Sequence, residues 1–112
     1  MIDRLTAETF DDAIFKSTGL ILIDFFADWC GQCKMLTPIL EDFAQAYSDK
    51  VKLYQVDVEA EPTIADRLRI LTVPTLMVVK NGKILTRVEE GRDEDGLKEL
   101  LGIKALSGTR LY

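Results

Sequence analysis

Apolar and polar positions along this chain follow two different periods, and the switches between them mark its elements. From Leu20 to Phe26 every position is apolar except Asp24. A run this short and this apolar reads as a strand buried on both faces, the centre of an α/β sheet. Leu36, Ile39, Leu40, Phe43 and Tyr47 then recur at helical spacing, so an amphipathic helix follows. Pro38 falls inside it and predicts a kink, because its ring lacks an N–H and crowds the preceding turn. Val51 to Val58 alternates as a second strand. Pro62 suits the first turn of a short helix with Ile64 and Leu68 on one face. Thr75 to Val79 is a third strand, and Asn81-Gly82 joins it as a hairpin to Ile84–Val88. Near the start, Thr6 reads as the N-cap of a short helix whose apolar side is Phe10, Ala13 and Ile14. Near the end, Asp93 caps a last helix carrying Leu97, Leu100 and Leu101. Gly96 weakens that helix and Gly102 stops it.

The order is helix, strand, helix, strand, helix, hairpin, helix. Crossover helices make the first strands parallel and the hairpin adds an antiparallel pair. The expected fold class is α/β, a central mixed sheet flanked by helices on both faces. With 112 residues the chain supports one domain around one core, drawn here as residues 1–102. The tail 103–112 has no assigned structure; its Leu106, Leu111 and Tyr112 either pack back or hang free.

Charge and composition narrow the functions. A net charge of −5 without a basic stripe argues against nucleic acid as a partner. The longest apolar runs, Gly19 to Ile23 and Phe25 to Ala27, are split by Asp24 and fall far below the ~20 residues of a membrane span. Met1 to Leu5 has neither a basic start nor a following apolar stretch, so no leader is expected. Both cysteines sit in one short motif, so there is no disulfide framework. That fits a reducing cytoplasm, and a monomer is expected.

The motif is Trp29-Cys30-Gly31-Gln32-Cys33-Lys34. On a helix, residues three apart lie on one face with Cβ atoms about 5–6 Å apart, and cysteines bridge at Cα separations of about 4.4–6.8 Å. The spacing suits a disulfide that opens and closes. Cys30 falls where the buried strand ends and the helix begins, and free N–H groups at a helix start stabilise a thiolate. Zinc is the competing reading, but tetrahedral sites need four ligands, and with two cysteines and no histidine no metal is expected. Asp24 is the second anomaly. A carboxylate within an apolar strand is costly unless paired or protonated, and burial raises its pKa. The residues alone leave two options: an acid that exchanges a proton, or a strand-end side chain that reaches water. Taken singly, Trp29 reads as core and Pro74 as a trans residue opening a strand.

Asp24-Phe25-Phe26-Ala27-Asp28-Trp29-Cys30-Gly31-Gln32-Cys33-Lys34, the later Pro38 and the distant Val73-Pro74-Thr75 together resemble the thioredoxin family over about Leu5 to Leu101. The resemblance implies the thioredoxin fold and a protein-disulfide reductase that cycles a Cys30–Cys33 dithiol and disulfide through a mixed disulfide. It makes Cys30 the nucleophile; in thioredoxins the first cysteine ionises near pH ~7, against ~8.5 for a free thiol. It makes Cys33 the resolving thiol, protonated until needed, and Asp24 the acid and base that exchanges a proton with it. It makes Pro74 cis. Thr72, Val73 and Pro74 then form one wall of a groove for an extended client segment, with Trp29, Gly31, Gln32 and Gly91 completing it. No bound cofactor is implied; electrons come from NADPH through a flavoprotein thioredoxin reductase, and the other partners are disulfide-containing proteins. The alternatives from the same features are a more oxidising oxidase or isomerase, and a non-catalytic binding subunit.

Three departures bear on the chemistry. The commonest dipeptide between the cysteines in the family is Gly-Pro, and here it is Gly31-Gln32. Losing the proline is expected to make the pair somewhat more oxidising than thioredoxin's ~−270 mV while staying below the isomerase's ~−180 mV. Phe26 stands where many members have Trp. The loop Val88-Glu89-Glu90-Gly91-Arg92 is charged and reads as one residue longer than usual; Glu90, if it borders Cys30, opposes a thiolate there. Gln55 holds a place where some members carry a charge near the buried acid.

Overall fold

The apolar run at Leu20 demands partners on every side, and the fold supplies them. The structure, a computed structural model, describes residues 2–103. Its elements are β1 (Asp3–Arg4), α1 (Phe10–Ile14), β2 (Leu20–Phe26), α2 (Gly31–Ala46), β3 (Lys52–Asp57), α3 (Pro62–Leu68), β4 (Thr75–Lys80), β5 (Lys83–Val88) and α4 (Glu94–Leu101). The sheet runs β1-β3-β2-β4-β5. β2 lies at its centre, parallel to β3 and antiparallel to β4. The expected mixed α/β sheet is present.

Successive side chains of a strand point to opposite faces, so β2 feeds two cores. Ile21, Ile23 and Phe25 pack with Phe10 and Ile14 of α1 and Ile64 of α3. Leu22 packs with Leu36, Leu40 and Phe43 of α2, with Tyr47 at that helix's C-cap, and with Leu97 and Leu101 of α4. Asp24, two residues after Leu22, therefore points to the α2 face. It is 1% exposed.

Local rules fix the corners. Asn81 and Gly82 have φ of 51° and 81°, both positive, as a two-residue type I′ hairpin requires. The Asn81 side chain accepts a hydrogen bond from the Gly19 N–H at 2.7 Å, which ties the hairpin to the start of β2. Asp93 caps α4 by accepting from the Gly96 N–H at 2.8 Å. Gly102 closes the helix in the left-handed region at φ 70°, a conformation that costs glycine little.

Several boundaries differ from the sequence reading. α1 has Thr9 at its N-cap, not Thr6, and no side-chain cap bond. Thr6 instead opens the preceding turn: its carbonyl accepts from the N–H groups of Thr9 and Phe10, and its own N–H donates to Thr9 Oγ1 at 2.9 Å. β3 is one residue shorter at each end than Val51–Val58. β1 was not foreseen; it pairs Arg4 with Gln55 on the far side of β3. α2 runs through Pro38 without interruption, with the ring on the exposed side. Ile103 packs against the α2-side core, while Leu106, Leu111 and Tyr112 lie outside the described residues.

Candidate active site

The chain turns sharply between the central strand and its longest helix. The Cys30 N–H donates to the Ala27 carbonyl at 3.2 Å, and Cys30 becomes the N-cap of α2 with extended backbone, φ −83° and ψ 113°. Its sulfur accepts from the Cys33 N–H at 3.1 Å. The first N–H groups of a helix have no partner within it, and an N-cap side chain normally supplies an oxygen. Here a sulfur fills that place, at the positive end of the helix dipole, where an anion is well accommodated. The Cys30 thiol is also 3.8 Å from the Val73 carbonyl oxygen, to which it donates.

Cys30 and Cys33 are both free thiols and both buried. They form a small cluster with Phe26 and Ala27, flanked by Val58 and Val73. The Cys33 thiol is pushed up to about 12, chiefly by burial and then by its hydrogen bond with Cys30; a backbone hydrogen bond from Ala27 works the other way. Cys33 therefore holds its proton at neutral pH. The negative charge of Asp24 is a smaller cause in the same direction.

Asp24 lies behind the pair. Burial raises its carboxyl to about 6, against the opposing effect of a hydrogen bond from Gln55. Gln55 Nε2 donates to Asp24 Oδ2 at 3.0 Å. The other oxygen, Oδ1, is buried and has no hydrogen-bond partner. Of the two readings of Asp24 left open by the residues alone, the strand-end side chain reaching water is excluded by this burial. Gln55 Nε2 also donates to Thr37 Oγ1 at 3.3 Å, and the Thr37 hydroxyl donates to the Cys33 carbonyl at 3.1 Å.

The remaining candidates form a rim. Trp29 is 68% exposed, so it is not core as its residue type alone suggests; its indole N–H donates to Glu59 at 2.7 Å. Gly31 and Gln32 are exposed in the first turn of α2, and a Cβ on Gly31 would meet nothing within 4 Å. Thr72 is exposed, Val73 half-buried and Pro74 buried. The Val73–Pro74 peptide is cis, where Pro74 read alone suggested trans. Gly91 meets Leu36, 3.5 Å from where its Cβ would lie. It shares a hollow of about 420 Å³ with Gln32, Met35 and Glu90. Glu90 is held by Arg92 at 2.7 Å. Among the described residues no three His, Cys, Asp or Glu side chains converge as a metal ion requires.

The sequence reading missed Thr37 and Glu59. Thr37 lies one helical turn after Cys33, and that spacing was a usable signal for a polar residue beside the site. Glu59 sits in the loop after β3, and nothing local marks it as the partner of Trp29.

A family model described as Thioredoxin matches residues 1–102. The chain is 42% identical to a thioredoxin of Chlamydia trachomatis over 101 residues, 90% of this chain and 96% of that one. It is 36% identical to a thioredoxin of Staphylococcus saprophyticus over 100 residues, 89% and 94% of the two chains. It is 41% identical to thioredoxin-2 of Saccharomyces cerevisiae over 89 residues, 79% and 85%. Among solved structures, chloroplastic thioredoxin z superposes with a TM-score of 0.83 at 30% identity, covering 90% of this chain and 91% of that one.

Proposed function

The chain belongs to the thioredoxin family and is a thiol-disulfide reductase, and we propose that it works through Cys30, Cys33 and Asp24 in the following sequence. The Cys30 thiolate attacks one sulfur of a client disulfide. A Cys30–client disulfide forms, and the first client sulfur leaves as a thiolate that takes a proton from water. Cys33 then gives its proton to the Asp24 carboxylate and attacks the Cys30 sulfur. The Cys30–Cys33 disulfide forms as the Cys30–client bond breaks, and the second client sulfur leaves as a thiolate that takes a proton from water. Two electrons have passed to the client. The family acts on disulfide-containing substrates, needs no bound cofactor and is reduced by thioredoxin reductase. For this chain we assign the electrons to NADPH through such a flavoprotein, and the location to the cytoplasm as a monomeric carrier.

One observation carries the mechanism: a sulfur caps the helix after the central strand, with a protonated thiol and a buried, half-partnered carboxylate behind it. Thr72, Val73 and Pro74 serve as one wall of the client groove, with Trp29, Gly31 and Gln32 on the helix side. Gly91, beside Gln32 on the Leu36 side, extends the groove. The Val73 carbonyl, already within 3.8 Å of Cys30, offers the backbone acceptor that an extended client strand uses. On this reading residues 1–102 form the thioredoxin domain.

Insulin reduction by dithiothreitol tests the reading. The protein should bring turbidity onset well forward of buffer, and an onset equal to buffer would mean a binding module. Equilibration in glutathione buffers should give a potential between ~−270 and ~−180 mV; a value at the upper end would make the pair an oxidase or isomerase. Cys33→Ser should accumulate clients as mixed disulfides, since the first attack proceeds and the second has no thiol. Failure to trap any client would remove Cys33 from the resolving role.

A further inference from the structure

The polar groups behind the cysteines form a chain of hydrogen bonds from the Cys33 carbonyl to Asp24, and its logic fixes one of them. The Cys33 carbonyl can only accept, so the Thr37 hydroxyl, 3.1 Å away, must donate to it. With its one hydrogen committed, Thr37 Oγ1 can only accept from Gln55, 3.3 Å away. The Gln55 amide group therefore has its NH₂ end at this corner. Turned over, it would set its carbonyl oxygen against the Thr37 oxygen and the Asp24 carboxylate together. Each amide hydrogen is used once, one on Thr37 and one on Asp24 Oδ2.

We propose that Thr37 and Gln55 are positioning residues: the Thr37 hydroxyl locks the Gln55 amide so that it caps Asp24 Oδ2 and leaves Oδ1 as the oxygen that takes the proton. The proposal rests on the reading of Asp24 as the acid that exchanges with Cys33. A neutral donor on one oxygen steadies the carboxylate without the strong pull of a cation. The acid thus stays close to the point where it both accepts and returns a proton near neutrality.

The neighbours leave few competing charges. Across the register from Asp24 stand Gln55 on β3 and Leu76 on β4, neither of them charged, and Val88 follows on β5. From α2 the titratable group is Cys33, with Cys30 beyond it. Arg4 of β1, in register with Gln55, shares with Asp28 and Lys34 the charged rim of a hollow of about 310 Å³ that Cys33 and Thr37 also line.

The test reads Asp24 directly. Its carboxyl is followed by NMR across pH in the reduced full chain, beside the pH profile of kcat/KM for insulin reduction. In Thr37→Val the amide is free to turn, and its carbonyl oxygen can then accept from the protonated acid. The Asp24 midpoint should rise by about 1 pH unit, as expected for a hydrogen bond to a charged group, and the acid limb of the rate profile should rise with it. Thr37→Ser, which keeps the hydroxyl, should restore both. Gln55→Met, which removes the donor, should move the midpoint in the same direction. A Thr37→Val midpoint equal to the parent's, or one that serine does not restore, overturns the clamp. Asp24→Asn separates the two readings. If its rate profile keeps the parent's inflection at the Asp24 midpoint, the proton-exchange role fails, and the NMR midpoints still decide the clamp.

Discussion

Cys30→Ser should reduce no insulin beyond the dithiothreitol background, and its melting temperature should stay within a few degrees of the parent's. The loss is chemical. A hydroxyl cannot form the sulfur–sulfur bond of the mixed disulfide, and at neutral pH it supplies no anion comparable to a thiolate. The retained stability follows from the cap. Cys30 fills the N-cap of α2 by accepting the Cys33 N–H, and serine is among the best residues for that place. The small hydroxyl gives up some packing in the cluster with Phe26 and Ala27, so the net change is within about 1 kcal/mol. A turbidity assay run beside a thermal melt separates the two effects. A Cys30→Ser protein that still turns over places the nucleophile elsewhere. One that is inactive only because it has unfolded contradicts the capping geometry. The contrast with Cys33→Ser is diagnostic: that variant stalls with a client attached, whereas this one never attaches.

Elements written in local chemistry were legible before the structure. The strand at Leu20 shows because burial on both faces leaves no room for polar residues, and the hairpin shows because Asn81 and Gly82 both adopt positive φ. Asp93 and Gly102 delimit α4 by the same kind of local rule. Asp24 stood out as an anomaly for the reason that makes it reactive, a charge where the pattern demands an apolar group. What stayed hidden was decided by register or by distance along the chain. β1 contributes two residues, too few for any period. Thr6 and Thr9 are chemically alike, and only the path of the chain selects Thr9 as the cap. Gln55 reaches Asp24 because β3 pairs in one particular register with β2, which no single strand encodes. Glu59 holds the Trp29 indole from a loop 30 residues away. The charged loop at Glu89 and Glu90 was legible as charged; the ion pair of Glu90 with Arg92 was not.

Asp24→Asn should make the protein more stable and slower at once. In the folded chain the Asp24 carboxyl titrates near 6, raised by burial; unfolded, it titrates near ~3.9. Below pH ~4 both states hold the proton and ionisation adds no cost. Between ~4 and ~6 the folded state keeps a proton that the unfolded state has lost, and stability falls as pH rises through the folded pKa. Above that, the fold carries a buried charge at a cost of about 3 kcal/mol. Asparagine never ionises, and its carbonyl oxygen can still accept from Gln55. The stability difference between variant and parent should therefore be near zero at pH 4, grow through pH 6 and level off at about 3 kcal/mol by pH 8. Urea titrations at several pH values measure it directly. The rate moves the other way. With Cys33 holding its proton up to about 12, the second displacement needs a base, and water replaces a positioned carboxylate poorly. Turnover above pH 7 should fall on the order of 10- to 100-fold, at or below the lower end of what positioned bases contribute. A variant that is destabilised and keeps the parent's rate would remove Asp24 from the mechanism, because the same buried charge must account for both effects.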